Sequence, residues 1–173
     1  MIQTFDDRVP FVDRNHIYNM AINSDFKITG WPDRYDLELT NKHDLHSKWP
    51  AERLNESRLL PYLEKCIKDS VYSDFKLSNM IGCTLNATKP GDFYYTHTHE
   101  KGSLGILYYV NLTWENQWAG ETIFYKDNMK DVEFTSAFVP GRFLLCGDEP
   151  HSIRSQSFNG PAWRFTLAFF FKK

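Results

Sequence analysis

Two periodicities divide the chain. Over residues 1–75 apolar positions recur at helical spacing twice. Ile17, Tyr18, Met20 and Ala21 follow Pro10-Phe11-Val12-Asp13, and Leu59, Leu60, Tyr62, Leu63, Cys66 and Ile67 form a second stripe. The first predicts a helix within residues 1–27, followed by a short strand at Phe26-Lys27-Ile28-Thr29 that Gly30-Trp31-Pro32 stops. The second predicts a helix started by Asn55-Glu56-Ser57 and ended by Asp69-Ser70, with Pro61 in its first turn, where a missing N–H costs little. Between them, residues 31–50 have no period and read as a long loop over a pocket mouth, with Trp31 and Tyr35 placed to gate it. From residue 72 the period becomes two. Strands are predicted at Met80–Thr88, Phe93–His99, Leu104–Leu112, Glu121–Tyr125, Val132–Ala137, Phe143–Cys146, His151–Ser155 and Trp163–Phe171, separated by Gly- and Pro-bearing turns. Eight short strands at this spacing predict a jelly-roll sandwich or barrel, mainly β, with the N-terminal helices packed on one outer face of a sheet.

Composition narrows this picture. A chain of 173 residues and 20.4 kDa is expected to form one domain, with 1–75 as helical support and loop and 76–173 as the jelly-roll core that carries the site. Aromatic residues make up 16% and concentrate after Phe93, in keeping with a β-rich half. A net charge of −2 points to neither nucleic acid nor an anionic membrane as partner. The start, Met1-Ile2-Gln3-Thr4-Phe5-Asp6-Asp7, is not a signal peptide, and no stretch is long enough to span a membrane. Cys66, Cys83 and Cys146 are odd in number and widely spaced, so no disulfide framework or metal motif is expected. A cytoplasmic location is the expectation, and the oligomeric state is not readable.

The chemistry centres on Tyr95-Thr96-His97-Thr98-His99-Glu100. On a strand, positions i and i+2 share a face, so His97 and His99 can reach one metal ion. His151 follows 52 residues after His99, at the expected start of another strand. A lone strand histidine is ordinarily a hydrogen-bonded imidazole, but two at this spacing and a third on a distant strand favour a metal. Open positions beside imidazole ligands suit Fe(II) and, less specifically, Zn(II). Arg164 lies in an apolar strand where an unpaired charge is expensive to bury. Alternation sets it beside Thr166, and the two make a fork for a carboxylate; an internal salt bridge is an equal reading. Tyr109 faces inward with Leu107 and Asn111, either as a core tyrosine or as a partner for the same carboxylate. Tyr95 shares the histidine face as a pocket wall or a supporting donor. Phe169-Phe170-Phe171 reads as packing.

These residues carry a resemblance. Lys89 to His97, Gly105 to Trp114, Ala119-Gly-Glu-Thr122, Pro140 to Leu145, His151 and Arg164-Phe-Thr166 resemble the iron(II)- and 2-oxoglutarate-dependent oxygenases, and among them the prolyl hydroxylase branch, over about residues 78–171. The resemblance implies a double-stranded β-helix. It also implies Fe(II), 2-oxoglutarate as co-substrate and O2, with ascorbate admissible. His97 and His151 match iron ligands, Arg164 with Thr166 beside it matches the partner of the distal 2-oxoglutarate carboxylate, and Tyr109 matches a tyrosine on that carboxylate. The implied substrate is a peptidyl, prolyl-like residue or a small amino-acid-type molecule. The family motif is His-x-Asp/Glu, whereas position 99 is His. Three readings follow: His99 ligates in a three-histidine site, Glu100 coordinates through a bulge, or the site is degenerate. Rival functions are a cupin-type three-histidine dioxygenase without 2-oxoglutarate and a non-catalytic jelly-roll binding module. A zinc hydrolase is disfavoured because no general-base carboxylate accompanies the histidines.

Overall fold

The computed structural model describes residues 1–29, 44–92 and 94–173. In chain order its elements are β1 (Gln3–Phe5), α1 (Phe11–Ile22), β2 (Lys27–Thr29), β3 (Asp44–Lys48), α2 (Ala51–Glu56), α3 (Leu60–Lys68), β4 (Met80–Thr88), β5 (Tyr94–His97), β6 (Leu104–Tyr109), β7 (Thr122–Tyr125), β8 (Val132–Ser136), β9 (Phe143–Cys146), β10 (His151–Ile153) and β11 (Arg164–Phe171). They form a seven-stranded sheet in the order β1-β9-β6-β11-β4-β3-β2 and a four-stranded sheet in the order β5-β10-β7-β8. Neighbouring strands are antiparallel throughout. The architecture is the expected mainly-β jelly roll with supporting helices, its sheets left open rather than closed on each other.

Strand β11 shows how the sequence builds the two layers. Phe165, Leu167, Phe169 and Phe171 alternate to one face, where they join Leu85, Ala87, Ile106, Tyr108 and Leu145 in a core shared with Ile17, Ala21, Leu63, Cys66 and Ile67 of the helices. Arg164, Thr166, Ala168 and Phe170 take the other face, toward the smaller sheet. A strand covered on both sides reads as a continuous apolar run, which is why its one charge is conspicuous. The second core, Tyr109, Phe124, Phe138, Leu144 and Cys146, lies between the sheets.

The expected second helix is two helices. Asn55-Glu56-Ser57 lies at the end of α2 rather than opening α3. There Ser57 Oγ donates to Leu54 O and accepts from Leu59 N, and Arg58 takes φ 60°, so the chain turns before Leu60. The expected loop 31–50 is partly strand. Residues 44–48 form β3, paired with β2 and β4, and Trp49 is buried behind it; residues 31–43, with Trp31 and Tyr35, lie outside the described residues. Strand β1 was not anticipated, because three residues carry no period; it pairs with β9, and Asp6 beside it takes both a 2.7 Å and a 2.8 Å bond from Arg142.

Candidate active site

The register of the smaller sheet sets His97, the last residue of β5, directly opposite His151, the first of β10. Their rings are 4.4 Å apart. The predicted strand Phe93–His99 stops at His97, with Phe93 outside the described residues, so His99 leaves the ladder. Its ring nevertheless returns to the pair: His99 Nε2 lies 3.2 Å from His151 Nε2, and one nitrogen from each of the three histidines falls within 4.8 Å of the others. At metal–nitrogen distances of about 2.0–2.1 Å, nitrogens 3.2 Å apart subtend roughly 100° at an ion, between tetrahedral and octahedral values.

Hydrogen bonds prepare two of the rings. His97 Nδ1 donates to Tyr95 O and His151 Nδ1 donates to Glu149 O, both at 2.9 Å. A carbonyl only accepts, so each Nδ1 carries the proton and each Nε2 offers its lone pair. Burial, then the neighbouring His97 and His99, push His151 down to about 2; burial, then His97, bring His99 down to about 4. Both are therefore neutral bases near pH 7, the form a metal needs. Tyr95 contributes its backbone carbonyl to this arrangement. Glu100 takes no part in it: the carboxylate is 67% exposed, and both its oxygens accept from Lys172 Nζ at 2.9 Å.

Arg164 is buried to 1% exposure on the inward face of β11. Nε donates to Gly120 O at 3.1 Å and Nη1 to Thr166 Oγ1 at 2.8 Å, and the guanidinium lies 4.7 Å from the Phe138 ring centre and 5.4 Å from that of Tyr109. Among the described residues Nη2 has no hydrogen-bond partner. Among the described residues no carboxylate forms an ion pair with it, so the internal salt bridge is not what the fold builds. Burial pulls this guanidinium's pKa down, against Tyr109, Tyr94 and Glu121. Tyr109, fully buried, shares a 2.8 Å bond with Thr122 Oγ1, which ties β6 to β7 across the sheets. Burial also raises the phenol's pKa.

Several contributors have no role assigned from the sequence, although Asn111, Trp114 and Gly120 stand in segments it marks. Gly120 must be glycine: φ is +83°, and a Cβ there would meet Trp114 Cζ2 at 3.2 Å and Arg164 Cδ at 3.3 Å. Trp114 Nε1 donates to Ala119 O, holding that turn. β6 ends at Tyr109, short of the predicted Leu112, and Asn111 instead clamps the next strand, donating Nδ2–H to Trp163 O and accepting from Phe165 N. Phe124 and Phe138 link the histidine and arginine ends of the inter-sheet space, and Phe124 lies 5.5 Å from His151. Phe170 does more than pack, since its ring stacks on His99 at 5.6 Å. The signal for these residues was alternation, which marks a face without saying what meets it. A cavity of about 380 Å³ lies elsewhere, on the helix side of the large sheet beside Tyr18, Phe26, Trp163 and Phe165.

Solved structures of the same shape exist despite low identity. A prolyl-4-hydroxylase from Pseudomonas putida matches with a TM-score of 0.76 at 15% identity, over 99% of this chain and 92% of that one. A prolyl hydroxylase from Trichoplax adhaerens, solved with a hypoxia inducible factor peptide fragment, matches with a TM-score of 0.72 at 16% identity, over 98% of this chain and 82% of that one. The fold is that of the 2-oxoglutarate- and Fe(II)-dependent oxygenases. HygX from Streptomyces hygroscopicus, with nickel and 2-oxoglutarate bound, shares this oxygenase fold at a TM-score of 0.68 and 10% identity, over 98% of this chain and 81% of that one. No protein-family model matches the chain, and no curated protein matches it in sequence. On this fold, Phe124 lies beside His151, and Phe138, in the same buried cluster, lies beside the Arg164 guanidinium. Among the described residues no helix is long and apolar enough to cross a membrane.

Proposed function

We propose that this protein is an Fe(II)- and 2-oxoglutarate-dependent dioxygenase, a hydroxylase of a peptidyl, prolyl-like residue or of a small amino-acid-type molecule. The carrying observation is Arg164: a guanidinium 1% exposed whose Nη2 has no partner among the described residues, linked through Phe138, Tyr109 and Phe124 to a cluster of three imidazoles. Leaving a buried charged donor unmade costs free energy that an incoming carboxylate recovers. In this reading His97, His99 and His151 hold Fe(II). Arg164, with Thr166 and Tyr109 beside it, holds the distal carboxylate of 2-oxoglutarate. When bound, iron, 2-oxoglutarate and O2 supply the oxidising chemistry, with succinate and carbon dioxide as co-products. The chain's own part is positional. Carbonyl-bound Nδ1 atoms leave two Nε2 lone pairs for the ion, Gly120 and Thr166 hold Nε and Nη1 and leave Nη2 for the carboxylate, and Phe124, Phe138 and Leu144 keep water from it. The peptide on the Trichoplax enzyme supports a peptidyl substrate by analogy.

An anaerobic titration of the metal-free protein with Fe(II) and then 2-oxoglutarate tests this. The expected result is a visible metal-to-ligand charge-transfer band that Arg164→Ala weakens, followed by O2-dependent release of succinate. Iron binding with no band moves the conclusion to a three-histidine dioxygenase without 2-oxoglutarate, the reading that the all-imidazole donor set favours.

A further inference from the structure

The three imidazoles are held by different means. His97 and His151 stand on paired strands, in register with each other, and each has Nδ1 fixed by a carbonyl. His99 lies beyond the end of β5, on the way into the turn at Gly102, where φ is +77°. Among the described residues no hydrogen bond reaches His99 Nδ1. Its ring is held by its faces, Phe170 at 5.6 Å and 28° and His151 at 4.9 Å and 9°, and by one edge contact, the 3.2 Å hydrogen bond between His99 Nε2 and His151 Nε2. Gly105 lies below, where an added Cβ would come 4.0 Å from His99 Cε1. With the His151 Nε2 lone pair as acceptor, His99 Nε2–H donates in this bond; an ion that takes the His151 lone pair ends it and leaves the stacking, which sets the plane of the ring but not which edge points inward, and the χ2 torsion of histidine is broad. The adjacent carboxylate is withdrawn, because Lys172 occupies both oxygens of Glu100.

We propose that the triad is a two-plus-one centre: His97 and His151 hold the metal ion, and His99 is an exchangeable third donor that gives way to an anionic ligand from solution. The inference rests on the metal-binding part of the function proposed above and is independent of 2-oxoglutarate and of turnover. Three neutral donors leave a divalent ion's charge uncompensated, which favours an anion beside it, and His99, whose Nδ1 no described residue holds, is the donor of the three least secured against exchange. Phe170 is then a positioning residue. It carries no donor atom and acts by keeping the His99 ring in the plane from which Nε2 reaches the ion.

The test uses the full chain labelled with 15N-histidine and loaded with Zn(II), with azide as the anionic probe. The ring-nitrogen shifts of all three histidines are followed by long-range proton–nitrogen correlation. Expected first are three metal-bound Nε2 signals, with His97 and His151 sharp and locked as Nδ1–H tautomers and His99 broadened by exchange. Azide then returns only the His99 signal to the free-imidazole position. Phe170→Leu broadens His99 further and leaves the other two unmoved. By competition with a chromogenic chelator, His99→Ala lowers zinc affinity less than about tenfold and His97→Ala more than about a hundredfold, with melting by circular dichroism checking that both variants fold. Three equally sharp signals that azide leaves unmoved, or moves together, overturn the two-plus-one arrangement while leaving the metal site standing. Zinc that fails to bind the unmodified protein overturns both.

Discussion

Arg164 and Thr166 stand two residues apart on one face of β11, and the 2.8 Å bond between Nη1 and Oγ1 fixes the guanidinium while Nη2 remains without a partner among the described residues. The hydroxyl is neutral, so the bond orients the charge without cancelling it. Ligand binding and fold stability should therefore separate at this position. Arg164→Met removes a buried charge and keeps much of the volume, so the melting temperature of the ligand-free protein is expected to hold or rise. The same variant is expected to lose 2-oxoglutarate affinity by about 10- to 100-fold, the worth of a charge-assisted pair. Calorimetry on Mn(II)-loaded protein, beside thermal melting of the metal-free form, measures both. Equal losses in the two would mark Arg164 as structural.

Acid should unfold the metal-free protein early. The folded-state pKa values of His99 and His151 lie at about 4 and about 2, below the ordinary 6.5. Below pH 6.5 the unfolded chain takes up protons that the folded chain refuses. The stability is thus complete above that pH and falls as pH drops, first for both groups down to about 4 and then for His151 alone. The limiting slope is about 1.4 kcal/mol per pH unit per group. Urea midpoints between pH 7 and 4.5 should fall accordingly, and His151→Asn should remove about half of the slope.

Gly120→Ala is expected to cost about 1–3 kcal/mol, since it forces a side chain into a left-handed conformation against Trp114 and Arg164. It should weaken 2-oxoglutarate binding as well, because the displaced group is the arginine. Gly82→Ala is the matched control: nothing lies within 4 Å of the added Cβ, and its stability should change by less than about 0.5 kcal/mol. Chemical denaturation of the two variants side by side decides it.

The cysteines should be silent in the native state. Burial pushes Cys66 up to about 11 and Cys146 up to about 12, and raises Cys83 as well. The reactive thiolate is scarce at pH 8 and shielded. Mass spectrometry after a short iodoacetamide treatment should find no adducts on folded protein and three on urea-unfolded protein. An adduct on the folded chain would point to local opening of the helix or strand that carries it.

Alternation made much of this fold legible. The pair Arg164 and Thr166 separates cleanly from Phe165 and Leu167 because period two is a property of the backbone, and all eight strands predicted after residue 72 are present. What escaped was set by tertiary contact. The step between α2 and α3 depends on Ser57 capturing backbone groups, and β3 is a polar segment made into a strand by its pairing with β4. At the site, the histidines stood out by spacing alone, yet the reason His99 reaches them from outside the strand is the surface offered by Phe170 and Gly105. Likewise, sequence left Arg164 open to a salt bridge. The groups that touch its guanidinium, Gly120, Phe138 and Tyr109, come from other strands and loops.

His97 and His151 face each other across two short strands, although 54 positions separate them in the chain. An ion held by both is therefore a clasp on a long loop. It closes a path that runs out through β6 to β9 and back, and it acts only once that path has folded. Loading the site should draw the smaller sheet's opening motions toward the global unfolding reaction, adding about 2.7 kcal/mol when free metal stands at a hundred times its dissociation constant. Amide exchange along β5 and β10 would then report whether the ion is in place, with no substrate and no turnover needed.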